Sequence, residues 1–260
     1  MKTPFVFDIK RSSTVDGPGV RTAIFLKGCN LDCFWCHNPE GKNPERERAF
    51  FEEKCTKCNA CEKTCEEDVS TCTVCGKCAE TCPSGAIKIY GRKYTENEIF
   101  EIIKRDAEYF DVTCGGVTFS GGECMLYPEF VGKTAEKCHA CGISVAIDTA
   151  GHVPFSAFEK IMPYVDLFLY DLKCIDSTLH RKGVGVGNEK ILKNLDLLLE
   201  AGKRVIIRIP VIPGFNDGDE LLSIKKYCEQ RNLEYELLPY HTFGEDKKKA
   251  LENNSNKKCN

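Results

Sequence analysis

The sequence predicts an α/β fold, a partial (β/α)6 barrel of the TIM type interrupted by a cysteine-rich insertion. Apolar runs of strand length alternate with helical periodicity from residue 95 onward, which implies right-handed βαβ units and a parallel sheet. Counting the run before the insertion gives six strands; without the insertion the chain is shorter than the ~250 residues of a full eight-unit barrel. Composition shifts abruptly between Phe51 and Tyr90, where two dense runs of cysteine set the insertion apart.

Taken in order, the turn-rich Ser13–Val20 segment, with its Asp-Gly and Pro-Gly pairs, precedes strand one at 21–28, an apolar run ending in Gly28. Past the insertion, helical periodicity near 95–109 leads to strand two at 116–120. Helix 127–141 leads to strand three at 143–149, and helix 154–163 to strand four at 166–172. Helix 188–201 leads to strand five at 204–211, and helix 218–231 to strand six at 233–239. Residues 1–50 and 91–246 are expected to form the barrel, 51–90 the insertion, and the lysine- and asparagine-rich 247–260 a disordered polar tail.

With 260 residues, 42% hydrophobic and 29% charged, the chain is long enough for one large core. A formal net charge of -3 gives no electrostatic case for nucleic acid or an anionic membrane. Met1–Asp8 lacks an apolar signal core, and no apolar run approaches the ~18 residues of a membrane span, so a cytoplasmic protein is expected. Eighteen cysteines would suggest disulfides in a secreted chain, but eleven of them fall into three short-spaced runs, which favours metal. Cys138 and Cys141 have no second pair nearby and read as structural thiols.

The first run is Cys29-x3-Cys33-x2-Cys36, on the loop that leaves strand one. Three thiolates on one tight loop can hold three irons of a 4Fe–4S cluster and leave the fourth iron open to a substrate. Zinc loops instead favour paired units that supply four ligands. In the insertion, Cys55-x2-Cys58-x2-Cys61-x3-Cys65 is followed by Cys72-x2-Cys75-x2-Cys78-x3-Cys82-Pro83, the bacterial ferredoxin spacing twice over. That spacing predicts a ferredoxin-like bis-4Fe–4S domain with crossed ligands: Cys55, Cys58, Cys61 and Cys82 on one cluster, Cys65, Cys72, Cys75 and Cys78 on the other. Cys65 is followed by Glu66-Glu67-Asp68 rather than proline, and only six residues separate it from Cys72, so the usual connection is cut short.

In barrels of this kind reactive groups sit at the C-terminal ends of the strands. Those ends deliver, in turn, the three cysteines, Ser120-Gly121-Gly122-Glu123, Asp148-Thr149-Ala150-Gly151, Asp171-Leu172-Lys173, Arg208 with Pro210, and Tyr240-His241. Gly121 and Gly122 let backbone approach a ligand where a Cβ would collide, and Lys173 offers a point charge to a carboxylate.

With Trp35 before its last cysteine, the first run resembles that of the radical S-adenosylmethionine (SAM) enzymes. Further motifs narrow the resemblance to the glycyl-radical-enzyme activating enzymes: Asp16-Gly17-Pro18-Gly19-x-Arg21, Cys36-His37-Asn38-Pro39-Glu40, Gly115 to Glu123, Tyr170 to Lys173, and Leu238 to His241. The double-cluster insertion resembles that of activases of glycyl radical lyases and decarboxylases, and the pyruvate formate-lyase activase lacks it. Cys124 stands where relatives commonly have proline.

The resemblance implies that SAM chelates the open iron and is cleaved reductively. The 5′-deoxyadenosyl radical then takes a hydrogen from a glycine Cα of a partner glycyl radical enzyme. It implies SAM contacts from Trp35, Cys36, His37, the Gly121-Gly122-Glu123 turn, Asp171, Leu172, Lys173 and His241, with Arg208 from strand five beside them. Asp148, Thr149 and Asp171 match a family site for a monovalent cation. The insertion clusters would relay electrons from a ferredoxin or flavodoxin. The rival readings are a radical SAM enzyme acting on a small molecule or peptide, and a ferredoxin-type electron carrier.

Overall fold

The structure is a computed structural model that describes residues 3–64 and 72–253. The chain opens with β1 (Phe5–Ser13) and β2 (Arg21–Leu26), an antiparallel pair, and then carries a short ribbon of β3 (Glu47–Phe50) and β4 (Ile87–Tyr90). Between the ribbon strands, the described residues form two short helices, α1 (Ala60–Thr64) and α2 (Lys77–Glu80). Phe50 pairs with Ile87, so the cysteine-rich segment leaves and re-enters through adjacent strands. Gly91, at φ 110, turns the chain from the ribbon into β5 (Arg92–Lys93), which pairs with β1.

The expected alternation follows. Helices α3 (Glu96–Lys104) and α4 (Ala107–Thr113) precede β6 (Gly116–Gly121), and α5 (Pro128–Ala140) precedes β7 (Ser144–Thr149). After α6 (Phe155–Ile161) come β8 (Leu167–Asp171), α7 (Ser177–Val184), α8 (Glu189–Glu200) and β9 (Val205–Val211). The last elements are α9 (Asp219–Gln230), β10 (Glu234–Pro239) and α10 (Phe243–Glu252). The sheet runs β10-β9-β8-β7-β6-β2-β1-β5, with β2 and β6 to β10 all parallel. Its two edges do not meet, which gives an open, partial barrel.

The period-two alternation of the strands decides what faces where. Phe119, Ile147, Phe168, Tyr170 and Ile207 point outward into the main core beneath the helices. Their neighbours Thr118, Ser120, Asp148, Asp171 and Arg208 therefore point to the barrel interior, whose own apolar cluster is small: Ala146, Leu167, Leu169 and Ile206. The interior is thus polar towards the strand ends.

Three expectations change. The single helix expected near 95–109 is two, because the chain turns at Asp106, whose buried carboxylate accepts from Arg11 and Thr22. Thr95 starts the first of them with a reciprocal capping box to Glu98, a device worth about 1 kcal/mol. The tail expected to be disordered from 247 is helical to Glu252. Lys247 bonds the buried Glu40 at 2.6 Å and Ala250 packs with Phe7 and Phe25, so the lysine-rich face hides an anchored one. The edge pair β1 and β5 is additional to the six expected strands. No helix among the described residues is long and apolar enough to cross a membrane.

Candidate active site at the strand ends

The loop after β2 is fixed by backbone bonds before any side chain acts. Gly28 N donates to Gly41 O at 2.7 Å, Cys29 N to Lys42 O at 3.0 Å, and Asp32 N to Val184 O at 2.9 Å. Cys29 and Cys33 pack against an apolar shell of Leu31, Trp35, Ala150, Val184 and Ile212. Burial pushes the Cys29 thiol up to about 12 and that of Cys33 to about 11, and raises Cys36. A soft, dry set of three thiols suits an iron–sulfur cluster, which neutralises them as thiolates. Among the described residues no three His, Cys, Asp or Glu side chains converge on one ion; a 4Fe–4S cluster asks instead for one thiolate per iron.

Lys173 faces this loop from the end of β8. Its ammonium is buried, bonds Asp171 Oδ2 at 2.6 Å, and lies within Coulomb reach of Cys33 and Cys29. Burial alone would lower its pKa, but the Asp171 carboxylate, and Cys33 when it is a thiolate, outweigh that and raise it. From β9, Arg208 Nη1 sits 3.7 Å from Asp148 Oδ1, while its buried Nε has no partner. His37 stacks on His241 with ring centroids 4.0 Å apart, and His37 Nε2 is also buried without a partner. Burial first, then His241, lowers the His37 pKa to about 4. An unpartnered guanidinium donor, an unpartnered imidazole nitrogen, and a buried cation beside three thiols suit a zwitterionic ligand on a cluster.

Not every expected ligand side chain faces an opening. Glu123 is buried, and its carboxylate accepts from Thr149 Oγ1 at 2.7 Å, Ala150 N at 3.0 Å and Met125 N at 3.0 Å. It works as a strut between the ends of β6 and β7. The Leu172 side chain lies in the outer core, leaving only its backbone at the strand end. Trp35 packs on Phe34 and Phe215. A Cβ on Gly122 would meet Gly28 O at 2.3 Å and Gly41 O at 2.4 Å, and one on Gly121 would meet Leu26 O at 2.2 Å. Gly121 is therefore needed for close packing on the end of β2, and Gly122 for close packing on the cysteine loop itself. Asp148 accepts from Ser120 Oγ at 2.6 Å, and burial raises its pKa. Thr149 is engaged with Glu123 and Gly151 N, and Asp171 with Lys173.

In the insertion, Cys55, Cys58, Cys61 and Cys82 line one small cavity with Phe50 and Ile87. Cys72 and Cys75 are at the surface or partly so, Cys78 is buried, and Cys65 lies outside the described residues.

Three buried asparagines escaped the sequence reading. Asn216 Nδ2 donates to Lys173 O and Pro210 O, Asn194 to Gly151 O and Val153 O, and Asn188 to Cys174 O and Ile175 O. They hold the loops that present the site. Only Asn216 has a visible cue, its place just after the Pro213-Gly214 turn.

The Radical SAM superfamily matches residues 23–225. A trans-4-hydroxy-L-proline dehydratase activating enzyme from Clostridioides difficile is 41% identical, the match covering 94% of this chain and 86% of the relative. A choline trimethylamine-lyase activating enzyme from Oleidesulfovibrio alaskensis is 38% identical, over 95% of this chain and 86% of its own. The chain belongs to the glycyl-radical-enzyme activating enzymes of the radical SAM superfamily. Membership brings with it a 4Fe–4S cluster and SAM, for which the strand-end residues are suited. Among solved structures, Streptococcus suis SuiB bound to its precursor peptide SuiA shares the fold, with a TM-score of 0.54 at 15% identity over 82% of this chain and 37% of that one.

Proposed function

We propose that this activating enzyme generates a glycyl radical in a partner glycyl radical enzyme, using SAM held at a cluster on Cys29, Cys33 and Cys36. The observation that carries the reading is the buried Lys173 ammonium, brought by β8 against the loop of three thiols. When bound, the cluster and SAM supply one-electron cleavage of the sulfonium and a hydrogen-abstracting 5′-deoxyadenosyl group. The chain's own residues bind and orient. Lys173 offers its charge to the methionine carboxylate and Arg208 its unpartnered Nε, with Asp171 holding Lys173 in place. The Gly121-Gly122 turn brings backbone to the ligand, and Glu123 braces it. His37 and His241 serve the adenosine end, Trp35 keeps water from the loop, and Leu172 offers its backbone at the strand end. Asp148, Thr149 and Asp171 are the residues for a monovalent cation.

The insertion, residues 51–90, is read as a ferredoxin-like domain of two further clusters, which makes three in all within a barrel of 1–50 and 91–246. The cavity shared by Cys55, Cys58, Cys61 and Cys82 supports crossed ligation, since the fourth residue comes from the second run. Cys72, Cys75 and Cys78, with Cys65, serve the other. These centres pass electrons inward from a ferredoxin or flavodoxin, in an air-sensitive, cytoplasmic enzyme.

Anaerobic reconstitution followed by iron and sulfide analysis tests the cluster count: about twelve irons per chain are expected, and about four would reduce the reading to the SAM cluster alone. Formation of 5′-deoxyadenosine from SAM under dithionite tests the chemistry, and none from iron-replete protein would overturn it.

A further inference from the structure

At the edge of the sheet farthest from β10, a cleft of about 780 Å³ opens where β1 and β5 meet the β3–β4 ribbon. Its lining includes three cations, Arg46, Arg92 and Lys93, against one carboxylate, Asp8, together with Phe5 and Tyr94. All three cations are exposed, and among the described residues none is held in an ion pair. Arg92 lies 4.8 Å over Tyr94 and Lys93 lies 5.1 Å over Phe5, so each of these charges rests on an aromatic ring rather than on a carboxylate. Glu98 is near enough to feel Arg92, but its carboxylate is spent on Thr95. In a chain of formal net charge -3 this is a local reversal of sign.

The cleft also touches the insertion. A Cβ on Gly76, between Cys75 and Cys78, would lie 3.7 Å from Arg46 Nη2 and 3.7 Å from Ile89 Cγ1, and both residues line the cleft. The second cysteine run therefore abuts the basic surface. No buried polar side chain converges within the lining, as a small-anion site would need. Exposed cations gathered where the sheet edge meets the ribbon match instead the broad acidic face of another protein.

We propose that this cleft docks an acidic one-electron carrier protein, whose electron enters at the centre served by Cys72, Cys75 and Cys78. The proposal rests on the reading that the insertion holds clusters. The step is a transfer of one electron: the reduced carrier is oxidised by one, the insertion centre is reduced by one, and no bond or proton moves.

The test uses reconstituted holoprotein and a reduced acidic two-cluster ferredoxin as probe. An R92E/K93E variant should be reduced about tenfold more slowly than wild type at low ionic strength, with the difference vanishing near ~0.5 M salt. R92Q/K93Q should fall between. Calorimetry with oxidised ferredoxin should show the same order of affinities, while iron content and dithionite-driven 5′-deoxyadenosine formation stay at wild-type levels. Equal reduction rates in all three proteins at full iron content would overturn the docking site. An iron content of about four would instead overturn the cluster reading beneath it.

Discussion

Replacing Lys173 with methionine removes the ammonium while keeping the length and most of the volume of the side chain. Two effects separate on the geometry. The methionine carboxylate of SAM loses a charge-assisted hydrogen bond, worth about 1.5–3 kcal/mol. That predicts binding weaker by about 10- to 150-fold. Asp171 loses its 2.6 Å partner as well, with side-chain exposures of 7% for Lys173 and 28% for Asp171. Water reaches Asp171, so the loss should stay below the ~3–5 kcal/mol of breaking a fully buried pair. About 2 kcal/mol, or roughly 4–8 °C in Tm, is expected. The double variant K173M/D171N should recover the Tm but not the affinity. Anaerobic calorimetry with SAM, beside thermal unfolding and iron analysis, reads both effects. Wild-type affinity in an iron-replete Lys173→Met protein would refute the placement of the SAM carboxylate.

Changing Cys29, Cys33 and Cys36 together to alanine should leave about eight irons of about twelve and abolish 5′-deoxyadenosine formation; loss of all iron would join the insertion to the same site. Gly122→Val should misfold rather than weaken SAM binding selectively, because its Cβ meets two backbone carbonyls at 2.3 and 2.4 Å; a soluble variant with the wild-type Tm would contradict that packing. Asp106→Asn should cost about 2 kcal/mol by unfolding in urea, since the carboxylate accepts from Arg11 and Thr22. Burial alone would raise the Asp106 pKa, but those two partners hold it below the usual carboxylate range. Its contribution is therefore present above the unfolded value near ~3.9 and lost as pH falls through the lower folded value. The variant should lose that part of the acid sensitivity, and an unchanged stability profile below pH ~4 would contradict the pairing.

The six parallel strands were legible because their apolar runs are bounded by turns and separated by helix-length segments, a pattern few folds share. The strand-end residues were legible for the same reason: once the strands are placed, the polar groups at their C-terminal ends follow. What the sequence hid lies in tertiary partners. Glu123 looks like a ligand in a Gly-Gly-Glu turn, yet its role depends on Thr149 and Ala150, which arrive from the next strand. The lysines of α10 look like a solvated tail, but the buried Glu40, with His37 O and Asn38 beside it, makes Lys247 an anchor. Asparagine usually marks turns and surfaces, so Asn188 and Asn194 gave no sign that they are buried clamps on the site loops.

The central claim is that the hydrogen comes from a glycine of a partner enzyme. The open mouth of the partial barrel suits an extended loop, and glycine has no side chain to hold its Cα away. The reduced enzyme and SAM, mixed with its partner glycyl radical enzyme, should give a doublet in electron paramagnetic resonance. Deuterating the Cα of the partner's glycine should collapse the doublet towards a singlet. Formation of 5′-deoxyadenosine with no such signal, and with no oxygen-dependent cleavage of the partner at its glycine, would contradict the account.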